Sequence, residues 1–295
     1  MAEQTIYDEK RDGLYRDRAM DFMIHKEVRS KSMTTAHYHP YYELFYVTRG
    51  NCRMFVGHSL FTVTPGEMVI LPPSTLHRTQ YDERIPVERT TVSFTPRFID
   101  GTESTVGADI IEESLPMGKM EFEGESRRRI EEILNRLLME DKSSDRFSEA
   151  AKKALLAELF VALARNAGKR AEREEPMDET EANIQEAAKY IFEHYSEDIT
   201  LEQASSIARM SETYFSRKFK EVTGFGFKEY TTNIRMQHAV EMLKNGDLSV
   251  TKIAISCGFP DANYFGDTFK KRTGMSPREF RKKESTTSKS CVKIK

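Results

Sequence analysis

Cysteine is scarce in this chain: three among 295 residues, Cys52, Cys257 and Cys291, widely spaced and odd in number. That excludes a disulfide framework and a CxxC metal site, and it suits a reducing cytosol. Long apolar runs are missing too. Nowhere do about 18 uninterrupted apolar residues occur, so no segment is expected to span a membrane, and the polar, charged beginning of the chain holds no run of signal-peptide length. The expectation is a soluble, cytoplasmic protein with no membrane partner. Net charge is also nearly absent, −2 overall, which on its face argues against nucleic acid. The balance is uneven, however: residues 1–181 carry 26 Lys and Arg against 33 Asp and Glu, and residues 182–295 carry 19 against 14. The first part, at −7, should avoid DNA, whereas the second, at +5, can approach it.

What is present divides the chain by texture, and 295 residues are enough for two domains, each with its own core. After a weakly patterned start with one strand near Phe22-Met23-Ile24, short β-branched and aromatic runs fill His37 to about Thr95. Glu43–Thr48, Arg53–Val56, Ser59–Val63, Met68–Leu71 and Thr90–Phe94 read as strands punctuated by Gly50-Asn51, Gly57-His58 and Pro65-Gly66, which predicts a small sandwich or barrel. Residues 125–166 change to helical spacing, with Ile130, Ile133, Leu134, Leu137 and Leu138 on one helix and Ala154, Leu155, Leu159, Ala162 and Leu163 on the next. Those leucines could pack on the barrel or pair with a second subunit. Gly168 to Glu181 is a run of Lys, Arg and Glu with Pro176, which reads as a linker.

One element then occurs twice. Tyr214-Phe215-x3-Phe219-Lys220-x2-Thr223-Gly224 returns 50 residues later as Tyr264-Phe265-x3-Phe269-Lys270-x2-Thr273-Gly274. Each Phe pair sits at i and i+4 on one helix face, leaving polar residues on the other. Each copy follows a short helical run, Leu201–Ala208 or Val250–Cys257, and a tight break at Arg209-Met210-Ser211 or Gly258-Phe259-Pro260. Helix, sharp turn and a second helix with polar residues outward is the sequence form of a helix-turn-helix. Ser211 and Asp261 are placed as N-caps, Gly224 and Gly274 as C-terminal stops, and Thr200-Leu201-Glu202-Gln203 as a capping box.

These residues, with Ile253-Ala254, Gly258-Phe259, Asn263-Tyr264-Phe265 and Thr273-Gly274-Met275-Ser276-Pro277-x2-Phe280-Arg281, resemble the DNA-binding domain of the arabinose-operon regulator (AraC/XylS) family of bacterial transcription regulators. The resemblance covers about a third of the chain, from Asn183 to Lys283. It implies an α+β multidomain protein: a cupin-like effector-binding barrel at 20–105, a helical dimerisation region at 106–168, a linker at 169–182 and a double helix-turn-helix at 183–283. The implied partners are double-stranded DNA, a small-molecule effector, a second copy of the chain and, for an activator, RNA polymerase. Thr213, Ser216 and Arg217 match the family's base-contacting positions, with Lys220 suited to phosphate. In the second repeat Asn263, Gly266 and Asp267 stand there, with Lys270 and Lys271 beside them; Asp267 departs from the basic residue of many relatives and leaves the second unit the weaker or differently selective reader.

In the β-rich part, His37, His39 and Glu43, followed by Gly66, Pro72 and His77, resemble the metal motif of cupin barrels. Two His on one strand share a side, and a carboxylate and a third His complete the donor types that hold a divalent transition metal. Three readings stay open: a metal site on His37, His39, Glu43 and His77; an effector pocket lined by them and Tyr46, suited to a small polar ligand such as a sugar; or polar residues with a structural role. The chain is expected not to be an enzyme, the alternative being a metal-dependent cupin enzyme fused to a DNA-binding domain.

Overall fold

Alternating residues along the strands face opposite sides, and that alternation builds the N-terminal half of this computed structural model, which describes residues 21–32, 37–39, 41–167, 178–245 and 248–282. Pro40, most of the linker, the tail and Cys291 lie outside them. The strands are β1 (Phe22–Arg29), β2 (Tyr42–Arg49), β3 (Cys52–Val56), β4 (Ser59–Val63), β5 (Glu67–Leu71), β6 (His77–Tyr81) and β7 (Val87–Phe94). A 3-10 turn at Pro96–Ile99, helices α1 (Glu103–Val106) and α2 (Ala108–Ser114), and a further strand, β8 (Gly118–Glu121), follow. One antiparallel sheet runs β1-β7-β2-β5-β8 and a second runs β4-β3-β6. Because β8 pairs with β5, the sheet domain reaches past residue 105, where the sequence placed its end.

The two sheets face each other over Phe45, Val47, Met54, Val56, Val69, Leu71 and Val87. The opposite face of the larger sheet, with Leu44, Tyr46, Ile70, Val92 and Phe94, is covered by helices α3 (Gly124–Glu140) and α4 (Ser148–Ala164). Here lies a correction. Ile130, Ile133, Leu134, Leu137, Leu155, Leu159 and Leu163 are buried against that sheet within one chain, each contributing about 1.5–3 kcal/mol by leaving water, so the leucine stripe does not serve a second subunit.

The C-terminal half is helical: α5 (Glu179–Glu193), α6 (Leu201–Ile207), α7 (Glu212–Thr223), α8 (Phe227–Asn245), α9 (Val250–Ser256), α10 (Ala262–Thr273) and a last helix beginning at residue 277. The stretch 179–182, read as linker, is the first turn of α5, capped by Asp178. The Thr200 capping box, the Ser211 and Asp261 N-caps, and left-handed Gly224 and Gly274 are all formed. Phe215 and Phe219 anchor one core with Ile184, Ile191 and Tyr230; Phe265 and Phe269 anchor another with Ile253, Phe259 and Phe280.

The turns inside the two units share one hydrogen-bond pattern: Arg209 N–H to Ser206 O and Met210 N–H to Ser205 O, matched by Gly258 N–H to Ile255 O and Phe259 N–H to Ala254 O. The second residue after each first helix is left-handed, Gly258 at φ 77° and Arg209 at φ 55°. A side chain in that conformation costs about 1–2 kcal/mol. Arg209→Gly is therefore expected to stabilise the first unit by up to about 1 kcal/mol, after the entropy that glycine adds to the unfolded chain. A thermal melt checks this, and a lowered midpoint would contradict it.

The halves are joined by more than chain. Residues pointing away from the sheet interior on β3 and β4, and just before β6, reach the first unit: Phe55, Leu60 and Leu76 enter the core of Phe215 and Phe219. Arg53 donates to both Glu181 carboxylate oxygens, Nη2 to Oε2 at 2.7 Å, and the Leu60 N–H donates to Gln185 Oε1 at 2.7 Å. The Tyr230 hydroxyl donates to Gly57 O at 2.8 Å.

Candidate functional site

Two groups of residues are candidates for recognition. The first lies on α7 and α10. With Phe215, Phe219, Phe265 and Phe269 fully buried, helical geometry turns Thr213, Arg217 and Lys220 outward on α7, and Asn263, Asp267, Lys270 and Lys271 outward on α10. Ser216 and Gly266 are half-buried at the edge of these faces. Tyr214 and Tyr264, at matching positions, are also exposed, at 37% and 52%, and the Arg217 guanidinium lies 5.3 Å from the Tyr214 ring centroid. Sequence reasoning used these tyrosines only as repeat markers; their spacing from the buried phenylalanines was the available signal for exposure.

The second group lies between the two sheets. His37 and His77 exchange backbone hydrogen bonds at 3.0 Å in an isolated bridge, and Ser74 N–H donates to His39 O at 2.7 Å, which fixes the His37–His39 segment against β6. Glu43 lies near the start of β2, which begins at Tyr42, while His37 sits in the isolated bridge to His77. The ligands meet nonetheless. One ring nitrogen from each of His37, His39 and His77 lies within 4.8 Å of the others, and Glu43 Oε2 is 3.1 Å from His39 Nε2. Tyr46 is not with them: it faces the helices, its hydroxyl donating to Glu131 at 2.8 Å, because its parity on β2 is opposite to that of Glu43.

His39 Nδ1 and His77 Nδ1 lie 2.8 Å and 2.9 Å from the carbonyl oxygens of Tyr41 and Thr75. A carbonyl only accepts, so each Nδ1 carries the proton, and Nε2 is the second nitrogen of each ring. His37 Nδ1 and His39 Nε2 are buried without a hydrogen-bond partner, as are the Thr91, Ser93 and Tyr81 hydroxyls and Arg89 Nε. Burial, with the neighbouring His39, pushes His37 down to about 4, and burial with His37 and His39 pushes His77 well below the ordinary imidazole value. Burial would raise Glu43, but the contact with the His39 ring and the charge of Arg89 outweigh it and hold the carboxyl well below its usual range. Neutral His37 and His77 beside a carboxylate are the protonation states a metal needs, and with the His39 ring they form a donor set that fits a divalent transition ion.

Arg89 was missed because the strand was read from Thr90, and Thr91 and Ser93 because the inner face of that strand was not assigned. Their parity with Val87 on β7 would have placed them inside. β6 was missed because His77–Tyr81 carries little apolar character. Among the described residues no helix is long and apolar enough to cross a membrane.

Residues 23–160 match the family model for an AraC-like ligand binding domain, and residues 204–283 match a helix-turn-helix domain model. The uncharacterized HTH-type transcriptional regulator YijO of Escherichia coli (strain K12) is 40% identical over 93 residues, 32% of this chain and 33% of that protein. The chain thus covers about a third of YijO. The HTH-type transcriptional activator RhaS of Escherichia fergusonii is 24% identical over 249 residues, 83% of this chain and 86% of RhaS. Among solved structures, ToxT from Vibrio cholerae aligns over 89% of this chain and 98% of its own, with 15% identity and a TM-score of 0.36.

Proposed function

The chain belongs to the AraC family of transcription regulators, with a ligand-binding domain ahead of a helix-turn-helix domain, and we propose that it reads a specific duplex DNA sequence through α7 and α10 under the control of a small effector held at the His37, His39, Glu43 and His77 cluster. The observation that carries the reading is the doubled unit, in which each helix buries a Phe pair, is capped at both ends and turns polar side chains to solvent. Arg217 is the strongest base reader, since a guanidinium can bond guanine O6 and N7 together, worth roughly 1–3 kcal/mol against a wrong base. Asn263 suits adenine, Asp267 suits cytosine N4, and Lys220, Lys270 and Lys271 suit phosphates. Helix α8, 19 residues and so roughly 28 Å long, is a spacer of the right order to hold two reading helices about one DNA turn, ~34 Å, apart.

The buried donors and acceptors without protein partners around the histidines support a hydrogen-bonding or coordinating effector there, a sugar being the class the family resemblance suggests. The family default is an activator that contacts RNA polymerase in the cytoplasm. A homodimer built on α3 and α4 would use their outer face near Met139, which is 74% exposed, since the leucines are buried inside. The chain is read as a regulator and not an enzyme; turnover of a small substrate by the purified protein would favour the tethered-enzyme alternative.

The test is selection of random-sequence duplexes by the purified full chain. Enriched sequences are expected to carry two conserved blocks about 10–10.5 base pairs apart. Recovery of DNA with no common sequence would overturn the reading.

A further inference from the structure

Every residue of the histidine cluster has a chain neighbour that faces the other way, into the DNA-binding half. Between His37 and His39 stands Tyr38; on either side of His77 stand Leu76 and Arg78. Alternation of side chains makes this unavoidable: when the histidines turn into the space between the sheets, the residues beside them turn out. Leu76 is buried in the core of the first unit, 1% exposed, among residues that include Phe215 and Phe219. Arg78 Nη1 donates to the backbone carbonyl of Glu221, on the last turn of α7, at 2.6 Å. Tyr38 lines a narrow cleft with Asn233, Met236 and Val240 of α8 and Thr273 of α10, and its hydroxyl lies beside Arg272 of the second unit. Three histidines thus meet at one point, while their neighbours hold α7, α8 and α10.

The cluster has the chemistry of a metal site. His39 and His77 each keep Nδ1 on a backbone carbonyl, the outer contact that orients a metal-binding imidazole and leaves Nε2 as the donor. His39 Nε2 faces the Glu43 carboxylate at 3.1 Å without a hydrogen bond. A lone pair and a carboxylate so close repel unless a proton or a cation stands between them. Donor nitrogens of a tetrahedral ion at 2.0–2.1 Å lie about 3.3 Å apart, so an ion would fix at that spacing three ring nitrogens that already lie within 4.8 Å of one another.

Resting on the regulator reading above, we propose that the effector is a divalent first-row transition metal ion bound by His37, His39 and His77, and that its binding is relayed to both helix-turn-helix units through Tyr38, Leu76 and Arg78. Three imidazoles select such an ion over Mg²⁺ or Ca²⁺, and Glu43 offsets its charge. Fixing the three rings on one ion sets where the His37–His39 segment sits relative to β6, and Tyr38 and Arg78 are set with their neighbours. Since Tyr38 contacts the second unit and Arg78 the first, the ion biases how the two readers sit relative to each other. Coupling follows if the ion binds one arrangement better than the other.

The test uses the full chain, freed of metal by chelation, with Co²⁺ as the spectroscopic probe and Zn²⁺ in the DNA measurements. Wild type is expected to bind one equivalent of Co²⁺ with the visible absorption of a low-coordinate site, and His37→Gln to lose it. Zn²⁺ is expected to change the dissociation constant for the selected duplex, read by fluorescence anisotropy, at least fivefold. Tyr38→Ala with Arg78→Ala should bind Co²⁺ as wild type does, which shows the cluster is folded, while the Zn²⁺ effect on DNA falls below twofold. No stoichiometric Co²⁺ in wild type overturns the metal. A Zn²⁺ effect under fivefold in wild type, or an undiminished one in the double variant, overturns the relay. If sequence-selective DNA binding persists in those cases, the regulator reading stands and only this inference falls; if no duplex is selected at all, the regulator reading itself has failed.

Discussion

Gly258→Ala is expected to remove the second helix-turn-helix from DNA recognition. Gly258 is left-handed at φ 77°, which alone costs an alanine about 1–2 kcal/mol. A Cβ there would also lie 2.8 Å from the Ser196 carbonyl oxygen and 2.9 Å from Ser196 C and Cα. Those are backbone atoms in the connection between α5 and α6, so no rotamer change relieves the contact. Either the α9–α10 turn opens or the second unit shifts away from the first. Together the terms reach roughly 3–4 kcal/mol, a large share of what stabilises a small domain. The expected readout is a thermal midpoint lowered by more than about 5 °C and loss of footprint protection over one of the two base blocks. Gly266→Ala is the contrast: that glycine is inside α10, and a Cβ there meets nothing within 4 Å. Helix propensity then predicts a gain of about 1 kcal/mol. A Gly258→Ala protein that melts with wild type and protects both blocks would refute the packing argument.

Arg217→Ala is expected to weaken binding to the selected sequence by about tenfold to a hundredfold and to relax preference at one or two base pairs, following the roughly 1–3 kcal/mol of a bidentate guanine contact. Arg217 is exposed on α7, and the Tyr214 ring 5.3 Å from its guanidinium limits how far the side chain ranges. Lys271→Ala should behave differently, weakening all duplexes alike and lowering the salt slope by about one. Fluorescence anisotropy across a set of single-base variants at two or more salt concentrations separates the two. Equal, sequence-independent losses from both substitutions would remove Arg217 from base reading and leave it a phosphate contact.

The C-terminal half was the more legible because its signals are local. A cap, a Phe pair at i and i+4 and a closing Gly act within a dozen residues, and the repeat states each of them twice. The breaks between the helices could be placed as well, although that Arg209 is left-handed in one of them was not apparent. The N-terminal half was legible strand by strand but not sheet by sheet. The runs ending at Val56, Val63, Leu71 and Phe94 were visible from their β-branched and aromatic residues. His77–Tyr81 was not, because its partner β3, and not its own composition, makes it a strand. The leucines of α3 and α4 had the spacing of an amphipathic face, and spacing alone does not say whether the opposing surface belongs to the same chain.

By itself, then, the order of residues determined the elements of the reading helices, their caps and the outward set of Thr213, Arg217, Lys220, Asn263, Asp267, Lys270 and Lys271, because helix geometry assigns faces from spacing alone. It also determined that His37, His39, Glu43 and His77 carry coordinating chemistry. Only the tertiary structure decided that His77 meets His37 across a backbone bridge, that Tyr46 belongs to the helix-covered face, and that Phe55, Leu60 and Leu76 complete the core of the first helix-turn-helix. The physical reason is sequence separation. Which strands lie side by side, and which side of a sheet a distant helix covers, depend on burial summed over residues far apart in the chain, and no local pattern carries that sum.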